Sequence, residues 1–292
     1  MSDHDLHFDK LPSLGAFYRR ALFARKPGLK VGQSIPQIRA TVAPLVPEPS
    51  HVALFRDVCG FRDDGFLPLS YPHVLAAPLH FALLMAKPFP FKALGLVHVS
   101  NRIVSHRPLR PDDSLDISTW VEGQRDAPRG ILFDLNTRIE SGGELVWESV
   151  STIIRIQKGK GGPSKKKRRE PSVGIPAQPH RTAIWPIPKD MGRRYAKPSG
   201  DFNPIHLSAL TAKLFGFKRA IVHGMWALAR CIGELEDDIQ APKMAVEVAF
   251  KRPIFLPSRV LFAAYAEEGG MTFGLHSADG SKPHLTGSVK SF

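Results

Sequence analysis

The sequence predicts an α+β protein made of two similar halves, each an antiparallel sheet around one enclosed helix. Three observations carry that reading. The first is order: helical patterns precede strand patterns, twice, where a parallel βαβ fold would alternate them. The first half runs "HVALFRDVCGF", "LPLSYPHVLAAPLHFALLMAK", "LGLVHVSNRIVSHRPLRPDDSLDIS", and the second "MGRRYAKPSGDF", "GFKRAIVHGMWALARCIGE", "MAVEVAFKRPIFLPSRVLFAAY". Each is a short helix, a long apolar helix, a strand with a basic break, a Pro-containing turn and a further strand, which is an internal repeat. The second observation is strand periodicity: "ILFDLNTRIE" alternates Ile131, Phe133, Leu135 and Ile139 with Asp134, Asn136, Arg138 and Glu140, as a half-buried antiparallel strand does. The third is the helix opening near Gly224. Met225, Leu228, Ala229 and Ile232 form one stripe, yet Trp226 and Ala227 make its start apolar nearly all round, so this helix has to be enclosed.

The remaining elements follow in order. "LVWESVSTIIRI" reads as a second strand closing the first half, and "RVLFAAYAEE", "GMTFGLHS" and "PHLTGSVKSF" as short strands of the second, divided by Gly, Asp and Pro turns. Between the halves, residues 157 to 176 hold seven basic residues against one acidic in a Gly/Pro/Lys-rich stretch. Such a composition cannot bury apolar area and reads as an exposed linker. The expected organisation is therefore 1–156, a linker at 157–176, and 177–292.

A chain of 292 residues with 43% hydrophobic content can bury a substantial core. "MSDHDLHFDKLPSLG" opens acidic and polar, and the longest apolar stretch, "VLAAPLHFALLMA", is short and broken by Pro78 and His80. Neither a secretion signal nor a membrane span is expected. Cys59 and Cys231 lie in helical stretches without metal-ligand spacing and read as small buried residues of a reducing cytoplasm. The net charge of +13 invites a polyanion. The run "KKKRR" lacks interleaved aromatic residues, so it favours a solvated linker over a nucleic-acid patch.

The chemistry concentrates in "YAKPSGDFNPIHLSALTAKLFGF", where Asp201, Asn203 and His206 fall within six positions at the start of a helix expected over 204 to 214. Asn203, directly before Pro204, is the natural N-cap. Capping leaves Asp201 and His206 unexplained. A carboxylate and an imidazole on one side of a cleft can share a water and pass its proton. No Gly-x-Ser-x-Gly elbow, activated cysteine or metal spacing accompanies them, and Ser199 reads as a turn former. Downstream, "AIVHGMWAL" opens the enclosed helix at Gly224, where free backbone N–H groups and the positive helix end can hold a developing oxyanion. His223 reads first as a structural or capping group and second as a substrate contact.

The spacing "Y-x-x-x-SGDxNPIHxxxxxAxxxGF" followed by "IVHGM" resembles the MaoC-like family of R-specific enoyl-thioester hydratases and dehydratases, whose fold is a hotdog, a sheet wrapped around one helix. The likeness is close over about residues 189 to 250. It implies a double hotdog in which Asp201 and His206 activate the water and handle the proton, the Gly224 N–H binds the thioester carbonyl, and Asn203 supports the geometry. The first half departs from the pattern: "RDVCGFRDDGFLPLSYPHVL" has no Asn-Pro-x-His, so it is expected to be a degenerate hotdog that houses the acyl chain or simply packs as core. The implied reaction is reversible hydration of 2-enoyl thioesters and dehydration of R-3-hydroxyacyl thioesters. No cofactor is implied beyond the coenzyme A or phosphopantetheine of the substrate itself, and no metal. The carrier is acyl-CoA or acyl carrier protein, with Lys251, Arg252 and Arg102 as candidate contacts for its negative charge. Two fused hotdogs can stand as a monomeric pseudo-dimer or pair again as a homodimer. Two alternatives stay open, a hotdog thioesterase and a non-enzymatic binder using the basic linker.

Overall fold

A computed structural model describes residues 4–15, 17, 25–30, 32–157 and 178–292. The linker expected at 157 to 176 lies outside the described residues except for Gln157. In the first half, β1 (Asp5–Phe8) and β2 (Arg39–Leu45) precede α1 (Pro49–Cys59) and α2 (Tyr71–Met85), followed by β3 (Leu96–Ser105), β4 (Leu115–Ala127), β5 (Gly130–Ser141) and β6 (Glu144–Ile156). The second half repeats this grammar. β7 (Arg181–Ile187) precedes α3 (Met191–Ser199), α4 (Pro204–Leu207), α5 (Ala209–Lys213) and α6 (Gly224–Glu234), then β8 (Met244–Phe250), β9 (Ser258–Glu267), β10 (Gly270–Ser277) and β11 (Pro283–Ser291).

The two sheets expected side by side are hydrogen-bonded into one of eleven strands, in the order β1-β2-β4-β5-β6-β3-β8-β11-β10-β9-β7. Read outward from the β3–β8 seam, β6, β5, β4 and β2 on one side answer β11, β10, β9 and β7 on the other. The seam is antiparallel, with Ser100 opposite Ala249 and Ser105 opposite Met244, so a local two-fold axis between the Arg102–Glu247 and Ile103–Val246 pairs relates the halves. Sequence periodicity found most of this, but it missed β1, β2 and β7, which are short and mixed in polarity.

Each half encloses its long helix. In α2 the residues Tyr71, Leu79 and Leu83 are fully buried, and the helix packs on β2, β4 and β5. In α6, Leu228, Ala229 and Cys231 are fully buried, which bears out the enclosed helix. At roughly 25 cal/mol per Å² of apolar surface, such fully buried leucines each contribute about 2 kcal/mol. The helix expected over 204 to 214 is instead two short ones. Ser208 is extended (φ −157, ψ 162) and its Oγ accepts from Thr211 N–H, so one serine ends α4 and caps α5.

Candidate active site

Local chain chemistry sets the site. α3 ends on Gly200 in the left-handed region (φ 66), its N–H bonded to the Ala196 carbonyl, and this reversal delivers Asp201 to the mouth of the next helix. Asp201 Oδ1 accepts from Asn203 N–H at 3.1 Å. Asn203 Oδ1 in turn accepts from Ile205 N–H at 3.4 Å, the expected N-cap, with Pro204 at the first helical position. His206 follows on α4, buried. A Cβ on Gly192 would fall on the His206 carbonyl oxygen, so glycine at that point is what lets α3 lie against α4.

Hydrogen bonds fix the histidine tautomers. His206 Nδ1–H donates to the Ile221 carbonyl at 2.8 Å, which leaves Nε2 as an acceptor facing Asp201. The His223 Nε2–H donates to the Asp201 backbone carbonyl at 2.9 Å. His223 is thereby a brace for the turn that carries Asp201, and its ring stacks on His206 with centroids 3.7 Å apart. His206 Nε2 stands 3.9 Å from Asp201 Oδ2. That is too long for a hydrogen bond and short enough for one water or hydroxyl oxygen to touch both groups.

Burial keeps the two histidines uncharged. Burial pushes the His206 pKa below 6.5, partly offset by the Asp201 carboxylate. Burial, with His206 next to it, holds His223 down at about 3. Both imidazoles are neutral at pH 7, so His206 Nε2 can accept a proton. Asp201, His206 and His223 also bring three potential metal-ligand atoms within 4.8 Å of one another. The His223 Nε2 is already a donor, however, and two stacked rings aim their nitrogens side by side, so the set makes a poor metal cage.

Gly224 opens α6, whose N-cap His223 makes no side-chain cap bond, so the first-turn N–H groups keep their donor capacity. The expected reason for glycine here was close approach of a carbonyl oxygen. A second reason is visible: a Cβ would meet the Phe250 ring at 3.0 to 3.3 Å. Lys251 and Arg252 follow Phe250 and are exposed, while their backbone N–H groups donate to the His284 carbonyl. Arg102 is elsewhere. It sits exposed at the middle of the seam, paired with Glu247 at 3.2 Å.

The first half contributes groups that sequence reasoning missed. His73 and His98 lie near enough for the Asp201 carboxylate to pull their pKa values upward, although burial wins and holds them at about 4 and about 3. The His98 ring packs on Phe250, centroids 5.1 Å apart. His51 Nε2–H donates to the Pro198 carbonyl at 2.8 Å, and its Nδ1 accepts from Tyr71 O–H at 2.7 Å. Histidines inside apolar runs, as His73 and His80 are in α2, were the available signal, since a buried imidazole needs a partner.

A family model described as "MaoC like domain" matches residues 168–285. The 3-hydroxyacyl-thioester dehydratase X of Mycobacterium tuberculosis is 32% identical over 273 residues, 93% of this chain and 95% of that protein. A crystal structure of it matches with a TM-score of 0.76 at 31% identity, covering 87% of this chain and 100% of the solved one. The peroxisomal enoyl-CoA hydratase 2 of Arabidopsis thaliana is 30% identical over 156 residues, 49% of this chain and 50% of that protein. The chain belongs to the MaoC-like dehydratase family.

Proposed function

We propose that this protein is a hydro-lyase that reversibly adds water across 2-enoyl thioesters and dehydrates R-3-hydroxyacyl thioesters in fatty-acid metabolism. One observation carries the reading: His206 Nε2 and Asp201 Oδ2, an acceptor and a carboxylate 3.9 Å apart, beside the free N–H groups opening α6. In the hydration direction a water between the two groups attacks C3 while one of them takes its proton. A proton is delivered to C2, and the Gly224 N–H holds the negative charge that gathers on the thioester oxygen. Asn203 keeps α4 in place, and His223 keeps Asp201 in place. No bound metal or organic cofactor enters this scheme, because the pantetheine arm arrives with the substrate.

The acyl group travels on coenzyme A or on acyl carrier protein, and both carriers are anionic. Lys251 and Arg252, exposed next to Phe250, are the contacts proposed for that charge, whereas Arg102 is already paired at the seam. The two buried free thiols, Cys59 and Cys231, whose pKa values burial pushes up, suit a reducing cytoplasm. Among the described residues no helix is long and apolar enough to cross a membrane. One chain already supplies both hotdogs of a pair, so we assign a monomeric pseudo-dimer, with a homodimer as the other arrangement.

The test is loss of enoyl absorbance when the protein meets crotonyl-CoA, run beside a free-thiol assay. Absorbance loss without thiol establishes hydration. Thiol release would mean a thioesterase, and no reaction with crotonyl-CoA, longer enoyl-CoAs or the acyl-carrier-protein esters would overturn the enzymatic reading.

A further inference from the structure

The two-fold relation between the halves gives the reacting crevice a counterpart. Asp201 follows Gly200, the left-handed cap of α3; Phe61 and Arg62 follow Gly60, the left-handed cap of α1 (φ 75). His223 and Gly224 open α6, as Leu69 to Pro72 open α2. Phe250 marks one end of the β3–β8 seam, and the Ser105–Met244 pair marks the other. A cavity of about 700 Å³ lies at that other end, and Phe61, Arg62, Leu69, Pro72, Ser105 and Met244 all line it. It reaches Ile232 on α6, roughly 12 Å along the helix from Gly224 at 1.5 Å per residue. The cavity is thus the first half's copy of the reacting crevice, without its acid–base pair.

Its chemistry differs from that of the crevice at Asp201. The wall is mainly apolar, with Phe66, Leu67, Leu69, Trp147 and Ile232, and the Trp147 indole N–H is already given to the Leu69 carbonyl at 3.0 Å. The rim is acidic, with Asp63, Asp64 and Glu236. The two arginines beside it are engaged, and the exposed Lys243 lies between the lining residues Pro242 and Met244. Arg62 holds Asp237 at 2.6 Å and lies 3.6 Å from Glu236. The buried Arg56 donates to the Arg62 and Phe66 carbonyls and pairs with Asp63 and Asp64. Among the described residues lining it, a phosphate or carboxylate entering here meets carboxylates and no unpaired guanidinium, whereas an alkyl chain meets a wall of the size ligand pockets have.

We propose that this second crevice is a binding site for an uncharged hydrocarbon chain, filled independently of the reacting thioester. The word "second" rests on the placement of the reaction at Asp201; the occupancy itself does not depend on it. The full chain would be titrated with N-phenyl-1-naphthylamine, a neutral apolar fluorophore, and with its anionic relative 8-anilinonaphthalene-1-sulfonate. The neutral probe should bind saturably, at least about tenfold tighter than the anionic one, and crotonyl-CoA should not displace it. Ala241→Trp and Gln240→Trp, which fill the cavity from its rim, should each weaken the neutral probe about tenfold or more with crotonyl-CoA turnover unchanged. Gln240 is exposed, so its variant keeps the test alive if the other fails to fold. Absence of saturable binding, binding that survives both tryptophans, preference for the anionic probe, or displacement by crotonyl-CoA would each overturn the proposal. A protein inactive on every enoyl thioester would instead defeat the proposed function and leave the probe titration to decide this point alone.

Discussion

Asp201, His206 and Gly224 show how much one residue's surroundings decide. In the proposed reaction Gly224 carries two demands, a bare N–H for the thioester oxygen and room for the Phe250 ring 3.0 Å from where a Cβ would stand. Gly224→Ala should therefore lose about tenfold to a hundredfold in kcat/KM, and Phe250→Leu added to it should restore part of the loss. If Gly224→Ala is as active as the unaltered protein, the close approach is unimportant. A second prediction concerns acid. His73, His98 and His223 are held at about 4, 3 and 3 in the folded chain, against 6.5 unfolded. Their folded pKa values lie below the unfolded value, so the unfolded chain binds more protons as pH falls. Their contribution to stability is present above pH 6.5 and is lost between there and about pH 4 for His73 and about pH 3 for His98 and His223, each ring costing about 1.4 kcal/mol per pH unit in its window. Urea midpoints should fall steeply from pH 6.5 to 5; a flat profile would contradict the buried neutral rings. The motif of Asp201, Asn203 and His206 was legible in the sequence because all three lie within one turn and one helix start. The tautomers were not, since the Ile221 carbonyl that fixes His206 is fifteen residues away.

At the scale of elements, the first half steadies the second. The chain from Tyr71 on α2 through His51 on α1 ends on the Pro198 carbonyl, three residues before Asp201. We expect His51→Phe to lower kcat by about 10- to 100-fold with KM nearly constant, and His51→Gln, which keeps a donor, to recover much of it. Equal kcat in His51→Phe would reduce this chain to packing. Long elements were readable from period and apolarity, as α2, α6, β5 and β6 are. The split of 204 to 214 was not, because Ser208 reads as an ordinary helix residue until its hydroxyl is seen capping α5. Strand β7, "RTAIWPI", contains a proline and one short apolar cluster, and only its pairing with β9 makes it a strand.

For the whole molecule, the repeat in the sequence became a single sheet with a two-fold seam. What the sequence could not supply was that strand order, because β3 and β8 are some 140 positions apart and no local pattern reports their pairing. The positive charge has a consequence on this scale. If Lys251 and Arg252 meet the carrier, raising salt should increase KM for the preferred anionic carrier while leaving kcat in place, and Lys251→Ala with Arg252→Ala should flatten that dependence. An unchanged salt slope in the double variant would place the carrier elsewhere. The central claim is that water is activated between Asp201 and His206, and the most direct measurement is crotonyl-CoA hydration by Asp201→Asn and His206→Ala proteins shown to be folded. Losses of about two to four orders of magnitude in each are the expected result, and near-normal turnover in either would contradict the account.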